Sequence, residues 1–159
     1  MPATAAKQTA TQQDRALAIT RTFDAPRALV WKAWTDPKHF LNWWGPRDHP
    51  AVEVEMEVRV GGRWRHCLRS TETGAALWHG GVFREVAKPE RLVFTFTWEE
   101  EGERGVETVV TVIFAEQGGR TLMTLHQAPF RSDFQRDDHD GGWNSAFDRL
   151  AEQLAELKE

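Results

Sequence analysis

The hydrophobic pattern of the C-terminal segment predicts one long amphipathic helix that closes the chain. Between Gly142 and Leu157 the apolar side chains recur at spacings of three and four residues, which is the stripe that a helix presents to a core. This helix carries large side chains on one face and polar ones on the other. It therefore needs a broad apolar partner surface.

Period-two alternation before that helix predicts the partner surface, an antiparallel sheet. Six segments alternate between bulky and small or polar residues, and glycine or proline turns separate them. Their short, regular spacing favours hairpin connections over parallel crossovers. The segments are at about 52–59, 62–71, 76–87, 91–100, 105–115 and 120–128.

The N-terminal third predicts a first strand at residues 16–24 and two short helices. Pro26 suits the start of the first helix, with Asp24 as its N-cap, and a second helical segment runs from Lys38 to Trp44. Residues 1–15 are small and polar, so we expect a disordered leader before one domain at residues 16–159. The order of elements predicts an α+β fold, with the sheet's bulky face covered by the final helix.

Composition adds an aromatic core and removes several classes of function. The 159 residues include eight Trp and nine Phe but no Tyr, and such large rings can leave gaps between them. A net charge of −4, with basic residues scattered among acidic ones, provides no stripe for nucleic acid. No apolar run is long enough for a secretion signal or a membrane span. The single Cys67 cannot form an internal disulfide, so a cytoplasmic location is expected.

Motifs for catalysis and metal binding are absent from the sequence. The histidines are spread over different predicted elements, without the spacing typical of zinc ligands, and no phosphate loop or nucleophile elbow occurs. The paired glycines, Gly141-Gly142 among them, are interpreted as turn, bulge or helix-start residues. No metal, cofactor or catalytic residue is therefore predicted.

Four segments of the chain resemble the SRPBCC superfamily, which has the helix-grip or START-like fold. They are FDAPRALVWKAWTDPKHFLNWWGP, GGRWRHCLRS, GGVFREVAKPERLVFTF and HDGGWNSAFDRLAEQL. The most similar branch is the AHSA type, related to the C-terminal domain of the activator of the ninety-kilodalton heat-shock-protein ATPase. The chain departs from its relatives after the last strand, where Gln127-Ala128-Pro129-Phe130 replaces a frequent His-x-Gly-Phe.

The resemblance implies a curved sheet wrapped around the long helix, with a ligand cavity between them. Carried over by position, the ligand-binding residues are Trp44, Trp64, His66, Leu68, Phe94, Phe96, Trp98, Trp143, Phe147 and Leu150. Among them His66 could orient a ligand through a hydrogen bond, although a satisfied core histidine is an equal interpretation.

The function expected on this basis is binding of a small hydrophobic or amphipathic molecule. Two alternatives stay open: a cyclase- or hydratase-type enzyme in the same cavity, with His66 and Glu85 as acid or base, and a stress-response or chaperone-associated interaction domain. A chaperone partner does not follow directly, because a separate N-terminal domain carries much of the binding in the eukaryotic activator. A homodimer is compatible with the sequence.

Overall fold

The computed structural model describes residues 15–158, which form a seven-stranded antiparallel sheet packed on a long C-terminal helix. The strands lie in the order β1-β7-β6-β5-β4-β3-β2, and the predicted α+β architecture is confirmed. The elements are β1 Leu17–Phe23, α1 Arg27–Thr35, α2 Pro37–Phe40, β2 Ala51–Met56, β3 Arg63–Arg69, β4 Ala76–Ala87, β5 Arg91–Trp98, a 3-10 turn Glu103–Gly105, β6 Thr108–Gln117, β7 Arg120–Ala128 and α3 Asp133–Lys158.

The bulky strand faces predicted from alternation are the buried faces of the sheet. The bulky alternating residues of β3 and β5 are all buried: Trp64, His66, Leu68, Phe94, Phe96 and Trp98. Strand β4 approaches β5 so closely that a Cβ at Gly81 would lie 1.9 Å from the carbonyl oxygen of Thr95, so only glycine fits there.

The middle of the sheet is covered by aromatic side chains from α1, α2 and the loop after them. Trp34 lies at the centre, 4.8 Å from the ring of Trp43 and 6.0 Å from that of Phe114. Its Nε1 makes no hydrogen bond within the described residues, so ring packing rather than polar contact holds the Trp34 side chain in place. Helix α3 closes the core with Phe147 and Leu150, both fully buried.

The N-terminal helices differ from the prediction at their ends. The N-cap residue of α1 is Pro26, which makes no side-chain cap hydrogen bond, rather than Asp24 as predicted. Helix α2 ends at Phe40, four residues before the predicted end at Trp44, and Asp36 caps it by accepting a hydrogen bond from the Lys38 N–H at 3.0 Å.

Helix α3 begins nine residues before the predicted start. Ser132 accepts a hydrogen bond from the Gln135 N–H at 3.1 Å, while the Gln135 side chain accepts one from the Arg131 N–H at 3.1 Å. This reciprocal arrangement resembles a capping box and satisfies backbone donors at the helix start. Gly141 and Gly142 therefore lie inside α3, and interpreting them as turn or helix-start residues was wrong.

The predicted leader, residues 1–15, lies outside the described part of the chain except for Arg15, whose carbonyl accepts a hydrogen bond from the Phe130 N–H at 2.9 Å. Within residues 15–158, every helix is too short or too polar to cross a membrane.

Two phenylalanines on α3 test how this helix is anchored. Phe147 is fully buried, with its ring 6.4 Å from that of Phe23, whereas Phe134 is 80% exposed. We expect Phe147→Ala to lower the free energy of unfolding by roughly 3–5 kcal/mol. The matched Phe134→Ala should change it by less than about 0.5 kcal/mol in the same urea titration. Equal effects of the two substitutions would contradict the packing described here.

Candidate functional site

A cavity of about 650 Å³ lies between the N-terminal half of α3 and strands β3, β4 and β5. This volume falls within the range of ~300–1,000 Å³ that is typical of small-molecule sites. The buried or half-buried lining consists of Trp44, Leu68, Leu77, His79, Phe96, Trp98, His139, Trp143 and Ala146. The exposed or half-exposed rim includes Arg47, Asp48, His49, Arg104, Asp137 and Asp138.

Two buried tryptophan–histidine hydrogen bonds shape the cavity lining. Trp44 donates from Nε1 to Nε2 of His79 at 2.8 Å, and Trp98 donates from Nε1 to Nε2 of His139 at 3.0 Å. Because an indole N–H can only donate, each Nε2 must be an unprotonated acceptor. Burial lowers the pKa of His139 to about 4 and that of His79 well below its ordinary value. Both rings are therefore neutral near pH 7.

His79 carries a buried donor without an acceptor. Since its Nε2 accepts from Trp44, the proton of the neutral ring is on Nδ1. Burial lowers the pKa of His79, and the nearby Leu77 backbone opposes this shift because it favours the charged form of the ring. Nevertheless, Nδ1 makes no hydrogen bond of normal geometry within residues 15–158. An unpaired buried donor costs about 1–3 kcal/mol, so an acceptor that reached it would be stabilising.

Gln127 fixes the ring of Trp143 in the cavity wall. The Trp143 Nε1 donates to Oε1 of Gln127 at 2.8 Å, and the Gln127 amide nitrogen donates to Oγ1 of Thr108 at 2.9 Å. Gln127 is the position at which the chain departs from the sequence pattern that it resembles. It has a structural role here, because its fully buried amide both accepts and donates a hydrogen bond.

The rim loop of residues 44–49 is bound to α3 through polar contacts. The Arg149 guanidinium donates to the carbonyl oxygens of Trp44 at 3.0 Å and Gly45 at 2.8 Å. One turn earlier on α3, Ser145 accepts a hydrogen bond from the Arg47 N–H at 3.0 Å. The helix and the rim therefore form one wall of the cavity.

The ten residues predicted to bind ligand fall into three environments. Those that line the cavity are Trp44, Leu68, Phe96, Trp98 and Trp143. Three others line a narrow crevice of about 10 Å³, to which Trp44 also contributes: Trp64, His66 and Phe94. Phe147 and Leu150 are buried in the core outside either lining. A ligand contact for each of them stays a prediction.

His66 is packed in the crevice rather than in the larger cavity. Its ring lies 4.9 Å from that of Phe40 and 4.8 Å from that of Trp64, and its Nδ1 accepts a hydrogen bond from the Glu55 N–H at 3.3 Å. Burial lowers its pKa to about 3. Glu85, the other predicted acid or base, is half exposed and pairs with Arg91 at 2.7 Å, away from the cavity lining.

Among the cavity residues that had not been predicted to bind ligand are three with polar side chains next to the aromatic wall: His79, His139 and Arg104. The signal for His139 was present, because the Ser132-x-x-Gln135 pattern predicts a helix start that places it one turn before Trp143 on the same face. The two glycines after His79 weaken the alternation of β4, so its facing could not be predicted. No motif marks Arg104. Within residues 15–158, no three His, Cys, Asp or Glu side chains are grouped as metal ligands.

Comparison with known proteins identifies the family. The family model described as Activator of Hsp90 ATPase homolog 1-like protein matches residues 24–155.

The chain belongs to the Activator of Hsp90 ATPase homolog 1-like family.

No curated protein matches this family member. Its fold is similar to a Chromobacterium violaceum protein, with a TM-score of 0.82, 22% identity and coverage of 89% of this chain and 97% of the other. It is also similar to the AHSA1 protein from Silicibacter pomeroyi, with a TM-score of 0.78, 26% identity and coverage of 91% and 99%. The resemblance inferred from the sequence motifs is therefore confirmed, together with the fold.

The buried histidines of this AHSA1-like protein predict a loss of stability in acid. The pKa of His139 is about 4 when folded, and the ordinary value is 6.5. Between these values the unfolded chain binds more protons, so stability is complete above about pH 6.5 and falls as the pH decreases toward 4. We expect His139 alone to remove roughly 2–3 kcal/mol between about pH 7.5 and pH 4.5.

The variant His139→Gln isolates this contribution. Glutamine does not titrate, and its Oε1 can accept the Trp98 N–H. Urea unfolding at about pH 7.5 and pH 4.5 measures the loss of unfolding free energy in acid. This loss should be smaller in the variant by roughly 2–3 kcal/mol, and the other buried histidines account for the remainder. An unchanged pH dependence in a folded variant would show that His139 is not held neutral by burial.

Proposed function

We propose that this protein binds a small amphipathic molecule in the cavity between its sheet and α3. The observation that carries the proposal is an aromatic-walled cavity of about 650 Å³ with polar and charged side chains, Arg104 among them, at its rim. Sites for small molecules combine mostly apolar walls with a few polar groups that fix orientation. Both features occur together here.

Apolar burial supplies the affinity in this proposal. Phe96, Trp98 and Trp143 present rings to the cavity, and the family's helix-grip architecture leaves this end of the sheet uncovered by α1. Burial of apolar ligand surface stabilises a complex by ~25 cal/mol per Å² before the costs of association are subtracted. A hydrophobic body of modest size is therefore enough for measurable binding.

A charged group at the rim supports an amphipathic rather than a purely apolar ligand. Arg104 lies over the Trp98 ring, with Cζ 4.4 Å from its centroid. A ligand with a polar atom at the corresponding position can contact this guanidinium.

The two alternatives have less support. The enzymatic alternative relied on His66 and Glu85, neither of which lines the cavity. An interaction domain is favoured by a contiguous apolar patch, but the exposed large apolar side chains lie on five different segments of the described chain, at Val52, Val60, Val82, Ile113 and Phe134. The cytoplasmic location, the homodimer and a role in stress response stay predictions from the sequence.

Neighbouring phenylalanines on β5 provide a matched test of the cavity. Phe94 and Phe96 share one buried face, but Phe96 lines the cavity and Phe94 lines the filled crevice. With the neutral fluorescent probe N-phenyl-1-naphthylamine, we expect Phe96→Leu to weaken binding by about tenfold through loss of ring contact. Phe94→Leu should stay within about twofold of the parent protein.

Equal effects of the two variants, or no saturable binding by the parent protein, would contradict the proposal. Native mass spectrometry of freshly purified protein complements the titration, because a retained ligand adds a discrete mass that denaturation releases. The mass of that species then indicates the chemical class of the ligand.

A further inference from the structure

Two glycines in α3 form a cavity wall that neither packing nor backbone geometry requires. A Cβ added at Gly141 or Gly142 would meet no other atom within 4 Å, and neither residue has a positive φ. At Gly81, by contrast, a Cβ would collide with the Thr95 backbone. Glycine inside a helix is destabilising relative to alanine, so this pair makes α3 less stable without relieving any clash.

What the two glycines provide is a wall of bare helix backbone. Both line the cavity, whose other walls carry the rings of Phe96, Trp98 and Trp143. Gly142 lies one turn after His139 and one turn before Ala146, so a side chain there would enter the space next to these rings. Gly141 is exposed at the outer edge of the cavity. Flat aromatic molecules pack favourably against ring faces, and a wall without side chains leaves room for such a body.

Arg104 is the charged rim residue whose influence reaches the buried histidines. Its positive charge contributes to the lowered pKa of His139, after burial, and more weakly to that of His79. The guanidinium lies over Trp98 and pairs with Glu100 at 3.2 Å. Both partners of this pair are about one-third exposed, and such ion pairs are weak, so a ligand anion can share or displace Glu100.

The other charged groups of the rim are more exposed or already paired. Asp48 pairs with His49 at 3.0 Å, and its side chain is 73% exposed. Asp137 pairs with Arg136 at 3.1 Å and Arg47 pairs with Glu152, all toward solvent. Asp138 is exposed on α3. Solvent screens these charges more than that of Arg104, which packs on the cavity's own wall.

We propose that the cavity binds a flat aromatic molecule that carries an anionic group. Its rings lie between the Gly142 backbone and the aromatic wall, and its anion contacts Arg104. This inference rests on the proposed ligand-binding function and names the class of ligand.

Two probes with the same aromatic body test the anionic contact. N-phenyl-1-naphthylamine is neutral, and 8-anilinonaphthalene-1-sulfonate adds a single sulfonate. We expect the parent protein to prefer the sulfonate, and Arg104→Gln to weaken its binding by at least about fivefold while the neutral probe changes by less than about twofold. Arg104→Lys should retain most of the preference, because it keeps the charge.

Arg84→Gln is the matched control for the loss of one positive charge. Arg84 is an exposed residue of β4 that pairs with Glu107 at 3.5 Å and is absent from the cavity lining. It should leave both probes unchanged. If Arg84→Gln and Arg104→Gln have the same effect, the sulfonate binds by general charge attraction and the assigned anion contact is wrong.

Substitution of the glycines tests the wall with opposite effects on stability and binding. Gly142→Leu and Gly141→Ala remove helix glycines, so we expect an equal or higher melting temperature, yet Gly142→Leu should weaken both probes by about tenfold. Ala151→Leu introduces the same side chain at an exposed position of α3 outside the cavity lining and should leave binding unchanged.

The outcomes separate this inference from the proposed function. If the neutral probe binds the parent protein but Arg104→Gln and Gly142→Leu leave the affinity for both probes unchanged, the cavity binds ligand and the assigned class is wrong. If neither probe binds in a saturable manner, both the inference and the proposed function are overturned.

Discussion

Burial of indole N–H groups is the constraint on which this structure depends. Tryptophan is the largest apolar side chain, but its nitrogen can only donate, so a buried indole N–H without an acceptor costs free energy. Within residues 15–158 the central Trp34 bears that cost, and other buried indoles have acceptors. Backbone carbonyls of Ala33 and Thr95 serve Trp43 and Trp64 in the filled core. Around the cavity the acceptors are instead side chains: His79 for Trp44, His139 for Trp98 and Gln127 for Trp143.

This difference between backbone and side-chain acceptors connects the fold to the proposed site. A histidine can accept only while it is neutral, and burial keeps His79 and His139 neutral. The same burial leaves Nδ1 of His79 without a partner. The indoles of the cavity lining are thus held by side-chain acceptors. Stability against acid and the chemistry of the site follow from the same two hydrogen bonds.

The sequence predicted most of the architecture because alternation and helical spacing are local properties. The faces of β3 and β5 and the apolar stripe of α3 are all buried as their periodicity indicates. The start of α3 was missed because Gly141-Gly142 resembles a turn, whereas the helix is capped by Ser132 and Gln135. The position of the cavity depended on how far Trp34 and Phe40 enter the core, which is a matter of tertiary packing. Hence His66 was favoured although His79 and His139 line the larger space.

The central claim is that ligand enters the cavity beside α3 and leaves the filled aromatic core unchanged. Nuclear magnetic resonance of the indole N–H groups, assigned by single Trp→Phe variants, tests it most directly during titration with N-phenyl-1-naphthylamine. We predict saturable shifts for the cavity indoles of Trp44, Trp98 and Trp143, and little change for Trp43 in the core. Shifts confined to Trp43 and Trp64, or saturable binding without any shift of Trp98 and Trp143, would contradict this account.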